Sequence, residues 1–198
     1  MTCIVGIEHE GSVWLGGDGA SVADTQTWSV VDPKVFVNGN IGFGYCASFR
    51  GGQLLKYALE IPPHPPARDD MGYLVIDLVD AVREMWTNKG TMKNDAGIED
   101  AAAQFMIAYN GKLYYTDTDL QVCRTLAGYQ AIGCGEELAR GALHALSRTN
   151  FSPELKLQYA LEAAAAWSGG VQGPYTIIRV DPPIIEKKST NTRKKTKI

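Results

Sequence analysis

The feature that most constrains the fold is a series of paired extended segments closed by tight turns. "TCIVGIE" (Thr2–Glu8) is β-branched and apolar, "HEG" turns, and "SVWLGGD" (Ser12–Asp18) returns. "KVFVN" (Lys34–Asn38), a Gly-Asn turn and "IGFGYC" (Ile41–Cys46) repeat the pattern. "AQFMIAYN" and "LYYTDTD" predict a third hairpin across a Gly-Lys turn. Hairpins dictate antiparallel pairing and exclude the alternating order of a doubly wound parallel sheet.

The helical signals fall between and after these pairs. "FRGGQLLKYALE" predicts a helix following its glycines, stopped by "PPHPP" (Pro62–Pro66), because proline lacks the amide that would continue it. Met71, Leu74, Val75, Leu78, Val82 and Met85 recur at helical spacing over 70–86, with Asp69 and Asp70 suited to the N-terminus. "NKGTMKNDAGIEDA" reads as loop, and "YQAIGCG" (Tyr129–Gly135) as a short strand ending in glycine. Glu136–Arg148 reads as a helix with Leu138, Ala142, Ala145 and Leu146 inward. Ser152 and Pro153 open another, and Pro174–Asp181 holds the last strand. Helices this apolar need sheet faces to cover. The expectation is an α+β fold of two stacked antiparallel sheets flanked by helices, without internal repeats. One domain spans 2–181. The remaining 182–198 is expected to be a disordered tail, because "EKKSTNTRKKTKI" within it carries six basic residues and almost no apolar content.

Composition narrows the function classes. A chain of 198 residues with 45% hydrophobic and 21% charged residues can bury a sizeable core. A net charge of -3 argues against nucleic-acid binding by the body of the protein. No apolar run is long enough to cross a bilayer, and no secretory signal stands at the start, so the expected compartment is the cytoplasm. Cys3, Cys46, Cys123 and Cys134 form no CxxC pair, and no histidine stands at metal-ligand spacing from them. They read as reduced thiols, and His9, His64 and His144 as scattered residues without a catalytic part. No cofactor or metal is implied.

The chemistry lies at the start. A methionine before a small residue is usually trimmed, which would leave Thr2 first. A terminal threonine carries a hydroxyl and an amine whose pKa is about 7.7–8.0. The neutral amine can accept the hydroxyl proton while the oxygen attacks a carbonyl. A strand beginning at residue two holds that terminus rigid. The hairpin returns Asp18 beside it, and Lys34 opens the next strand. A lysine near Thr2 favours the neutral amine and the anionic hydroxyl, and Asp18 would pair with Lys34. Cys3 could be nucleophile only after loss of two residues, and on a strand it points away from the face of Thr2.

"TCIVGIEHEGSVWLGGDG…DPKV" resembles the start of the proteasome β-subunit and HslV-like family, with the spacings from Thr2 to Asp18 and to Lys34 matching without a gap. "AIGCGEELARGAL" and "AAWSGGV" resemble two later segments of the same family. The resemblance implies the N-terminal nucleophile hydrolase fold, a four-layer αββα sandwich, and threonine peptidase chemistry within a homo-oligomeric ring. It implies Thr2 as nucleophile, Lys34 as electrostatic activator, Asp18 as its partner and the backbone amide near Ala47 as oxyanion donor. Peptide or unfolded-protein substrates follow, with an ATP-dependent unfoldase as a partner that would feed the ring.

Three positions depart from the family pattern. Its serine between two glycines falls on Cys134, whose thiol is a weaker hydrogen-bonding group. Its aspartate shortly before Ser-Gly-Gly falls on Ala165, although Ser168 is present. Its paired glycines at the oxyanion segment become Ala47 and Ser48. These changes thin the surroundings of the nucleophile and predict slow turnover or none. Two other readings therefore stand beside the peptidase: an inactive ring-forming scaffold, and a hydrolase of small amides, for which no residues specify a compact acyl pocket.

Overall fold

β1 (Cys3–His9) turns through Glu10 and Gly11, both left-handed, into β2 (Ser12–Gly17). This two-residue turn matches the right-handed twist of the strands it joins. A short ribbon follows, β3 (Ala20–Ala23) with β4 (Gln26–Ser29), which the polar sequence there does not announce. β5 (Val35–Asn38) and β6 (Ile41–Cys46) form the second long hairpin. The computed structural model describes residues 1–23, 26–95, 98–101 and 103–183. Most of the expected tail, 184–198, lies outside the described residues.

α1 (Phe49–Tyr57) starts at Ser48, whose hydroxyl accepts from the Gly51 amide at 3.0 Å. It therefore contains Gly51 and Gly52 rather than following them. α2 (70–88) is compound: an α-turn at Asp70–Gly72, a π-helical segment at Tyr73–Leu78 and an α-helix at Val79–Asn88. The wider π turn moves its apolar stripe out of simple helical phase. Leu74, Leu78 and Val82 are buried as the periodicity predicts. Met71 and Val75 are exposed, and Tyr73, Val79 and Trp86 enter the core instead.

The segment read as loop carries a small ribbon, β7 (Lys93–Asp95) with β8 (Ile98–Asp100). β9 (Gln104–Tyr109) and β10 (Lys112–Thr116) form the third long hairpin, turning at Asn110 and Gly111. β11 (Val122–Cys123) and β12 (Tyr129–Gly133) precede α3 (Glu136–Leu146) and α4 (Pro153–Trp167), and β13 (Thr176–Val180) ends the fold. Ser152 caps α4 by accepting from the Leu155 amide, with Pro153 in its first turn. In α3 the inward residues are Ala139 and Leu143, with Ala142 and Leu146 half-buried. Leu138 and Ala145 are exposed, contrary to expectation. Alanines 139, 160 and 164 let α3 and α4 approach closely, and Leu138 falls outside that seam.

All strand pairings among the described residues are antiparallel. One sheet has the order β12-β1-β2-β13 and the other β11-β10-β9-β6-β5. The pleat of β1 sorts its side chains. Cys3, Val5 and Ile7 join Ala139, Leu143, Leu157 and Leu161 against α3 and α4. Ile4 points the other way, into a cluster with Met106, Ala108 and Leu113 of the second sheet. The second sheet's other face, with Phe43, Phe105 and Ile107, packs on Leu55, Leu74 and Trp86 of α1 and α2. The two sheets approach so closely that a Cβ at Gly44 would stand 2.6 Å from Ile4.

Candidate active site

Among the described residues six polar or charged ones are buried, among them Thr2, Asp18 and Lys34, and Asp18 and Lys34 pair beside the start of the first strand. The β1–β2 hairpin brings Asp18 back level with Cys3. The Asp18 amide donates to the Cys3 carbonyl at 3.2 Å, and the Asp18 carboxylate accepts the Cys3 amide at 2.8 Å. Its second oxygen accepts from the Ala20 amide at 3.0 Å. Lys34, immediately before β5, donates from Nζ to the same oxygen that holds the Cys3 amide, at 2.9 Å.

Both side chains of this ion pair are fully enclosed. Burial pulls the Lys34 ammonium below the ordinary lysine range, and the Asp18 carboxylate opposes that shift. The ring of Phe49 lies 5.5 Å from Nζ and adds a cation–π contact. Phe49 has no motif of its own. The nearest signal for it is the Ser48 cap, which places the first turn of α1 beside the lysine.

Thr2 is 3% exposed. Its nitrogen donates to Cys134 Sγ at 3.3 Å, and Cys134 Sγ stands 3.7 Å from Ser168 Oγ. Cys134 follows β12, which pairs with β1, and Ser168 caps the C-terminus of α4. Gly133 must be glycine: its φ is +96°, and a Cβ there would lie 2.3 Å from the Thr2 carbonyl oxygen. The Thr2 hydroxyl donates to the Met1 carbonyl at 2.6 Å. Ala165 is half-buried against the apolar cluster under α4.

Ala47 adopts φ +67°, with the Ser48 amide donating to the Cys46 carbonyl at 3.1 Å. A bond between residues two apart around a left-handed centre is a strained γ-turn. It sits between the end of β6 and the cap of α1, where the peptide is turned over as the chain leaves the sheet. Such strain is of order 1–3 kcal/mol and clusters at functional sites.

The other sulfur atoms are quieter. Cys3 lies in the helix-facing cluster, away from Ile4's face, and burial pushes its thiol well up. Burial raises the Cys46 thiol to about 12. Among the described residues no group of three or more His, Cys, Asp or Glu side chains is arranged to hold a metal ion. No helix among them is long and apolar enough to cross a membrane.

The arrangement of sheets and helices is that of the proteasome-like proteins. BPH of Thiobacillus denitrificans, in complex with epoxomicin, superposes with a TM-score of 0.77 at 15% identity, over 90% of this chain and 98% of that one. The same protein without that compound gives 0.77 at 16%, covering 90% and 97%. HslV of Trypanosoma brucei gives 0.65 at 16%, covering 90% and 99%. The chain therefore shares their fold over 90% of its length. No family model and no curated protein matches the sequence.

Proposed function

We propose that this chain is an HslV-like threonine peptidase that acts once the Met1–Thr2 bond has been cut. In this reading its layers form the four-layer αββα sandwich of the N-terminal nucleophile hydrolases. The Thr2 Oγ1 attacks the scissile carbonyl carbon while the freed Thr2 amine takes its proton. The amide at Ala47 stabilises the oxyanion, typically a large part of such catalysis. The protonated amine then gives its proton to the leaving amine, and water hydrolyses the resulting ester by the reverse transfers. The Lys34 ammonium favours the anionic oxygen, and Asp18 positions Lys34. Cys134 and Ser168 hold the amine.

The observation that carries this reading is the shared Asp18 oxygen, which ties a buried cation to the amide next to Thr2. The fold shared with BPH and HslV supports it. So does the complex of BPH with epoxomicin. By the same likeness we infer a homo-oligomeric ring in the cytoplasm, taking unfolded polypeptides delivered by an ATP-driven unfoldase.

A peptide epoxyketone tests it, because this electrophile closes a ring on both the hydroxyl and the amine of a terminal threonine. Intact mass is expected to show a chain without Met1 and a single adduct at Thr2. An unmodified Thr2 in a chain whose Met1 is gone would overturn the peptidase. Retention of Met1 in the mature protein would leave a ring-forming scaffold.

A further inference from the structure

The sulfur of Cys134 touches the nitrogen of Thr2, and this contact has a chemistry of its own. Cys134 is exposed, whereas Cys3 and Cys46 are buried. Its sulfur faces two polar groups, the Thr2 nitrogen at 3.3 Å and the Ser168 hydroxyl at 3.7 Å. The Lys34 ammonium lies within electrostatic reach of it. Gly170 leaves the room the sulfur occupies: a Cβ there would stand 2.9 Å from it.

We propose that Cys134 and Thr2 form a reversible sulfur–nitrogen bond under oxidation, which switches the terminal amine off. This rests on the reading above only in that Thr2 must be the first residue. The oxidant is a hydroperoxide such as hydrogen peroxide. The Cys134 thiolate attacks one peroxide oxygen, the O–O bond breaks, and hydroxide leaves and takes a proton from solvent, giving a sulfenic acid and water. The neutral Thr2 amine then attacks the sulfenic sulfur. An S–N bond forms, the S–O bond breaks, and the oxygen leaves as water with a proton from the amine. Sulfenic acids condense with nitrogen in this way to give sulfenamides. A reducing thiol attacks the sulfenamide sulfur, the amine leaves with a proton, and a second thiol frees Cys134 from the mixed disulfide.

The amine's lone pair is the proton acceptor in the proposed hydrolysis. In the sulfenamide that nitrogen is bonded to sulfur and no longer serves. Ser168 is in contact with the same sulfur and places the leaving water beside a hydrogen-bonding hydroxyl. The burial that shields Cys3 and Cys46 also keeps their thiols protonated and slow to oxidise. Cys123 is half-buried and Cys134 is exposed, so Cys134 offers a peroxide the most open sulfur of the four.

The test uses the full chain beginning at Thr2, treated with hydrogen peroxide and measured by intact mass and peptide mapping without reductant. The expected product is lighter by two hydrogens, contains the Thr2 peptide joined to the Cys134 peptide, and reverts with dithiothreitol. Cys134→Ser should lose the join completely, and Cys46→Ala should keep it. A sulfenic or sulfinic acid at Cys134 without the join would overturn the proposal. So would a disulfide between Cys134 and another cysteine, or no oxidation of Cys134 at all. Epoxyketone labelling of the reduced protein runs in parallel. An adduct without the join refutes only the switch. A join without an adduct refutes only the peptidase.

Discussion

On its inner side Thr2 borders a carboxylate that is 2% exposed and accepts three hydrogen bonds of 2.8 to 3.0 Å. On its outer side it meets an exposed thiol at 3.3 Å, which in turn stands 3.7 Å from the Ser168 hydroxyl. The inner side is part of the core and is closed by charge. The outer side is assembled from two chain ends, one after β12 and one after α4, and is held by weak partners. The difference separates what the fold must keep from what it can exchange. Asp18 and Lys34 cannot change singly without leaving a charge stranded. Cys134 can change at little cost.

The largest expected effect comes from breaking the inner side. Lys34→Ala should lower stability by about 3–5 kcal/mol in chemical denaturation, because an unpaired carboxylate stays buried. It should also abolish epoxyketone labelling. Replacing the pair together by Asp18→Asn and Lys34→Met should recover much of the stability, since no charge is left stranded and the asparagine oxygen can still accept a backbone amide. Labelling should stay absent. If the double variant is labelled normally, the ion pair has no part in the chemistry.

Thr2→Ala sharpens the contrast from the other direction. It should eliminate peptide hydrolysis while changing stability by no more than about 1 kcal/mol, since the hydroxyl's recorded partner is the Met1 carbonyl. The pH profile of the protein lacking Met1 comes next. The rate should rise through the α-amino range, about 7.7–8.0, as the amine loses its proton. It should fall again below the ordinary lysine value of about 10.4, because burial makes Lys34 give up its proton early. An alkaline limb at or above that value would contradict the enclosed lysine.

How much of this was legible beforehand depends on whether local pattern or tertiary contact decides. The three long hairpins and the Ser152–Pro153 helix start follow from alternation and turn chemistry, and the first hairpin sets Asp18 against the Cys3 amide, where Lys34 pairs with it. The inward face of α2 was misread because a π turn shifts its phase, and no residue between Tyr73 and Leu78 marks that turn in advance. Leu138 was misread because the α3–α4 seam is built on alanines, which only the partner helix reveals. The β3–β4 ribbon is short and polar, with β4 wholly exposed, so it lacks an apolar face to detect. The same holds at the site. Phe49 could not be assigned to the lysine until α1 was seen to begin at Ser48.

Two smaller tests address the strained and the soft elements. Ala47→Gly should raise stability by up to about 1 kcal/mol, because glycine accepts φ +67° without a Cβ clash but loses more entropy on folding. A fall in stability would mean that the γ-turn is not strained. Cys134→Ser should change stability by less than about 0.5 kcal/mol and speed labelling of Thr2 a few-fold, because a hydroxyl is a better partner for the amine than a thiol. Slower labelling would show that sulfur is preferred there.

The contact between Thr2 and Cys134 joins residues 132 positions apart. A ribosome makes the first residue of this protein early and the groups that enclose it late. Through most of synthesis the nascent terminus has neither its thiol neighbour nor the serine after α4. The enclosure of the first residue is therefore finished only late in synthesis, once both of those segments have left the ribosome.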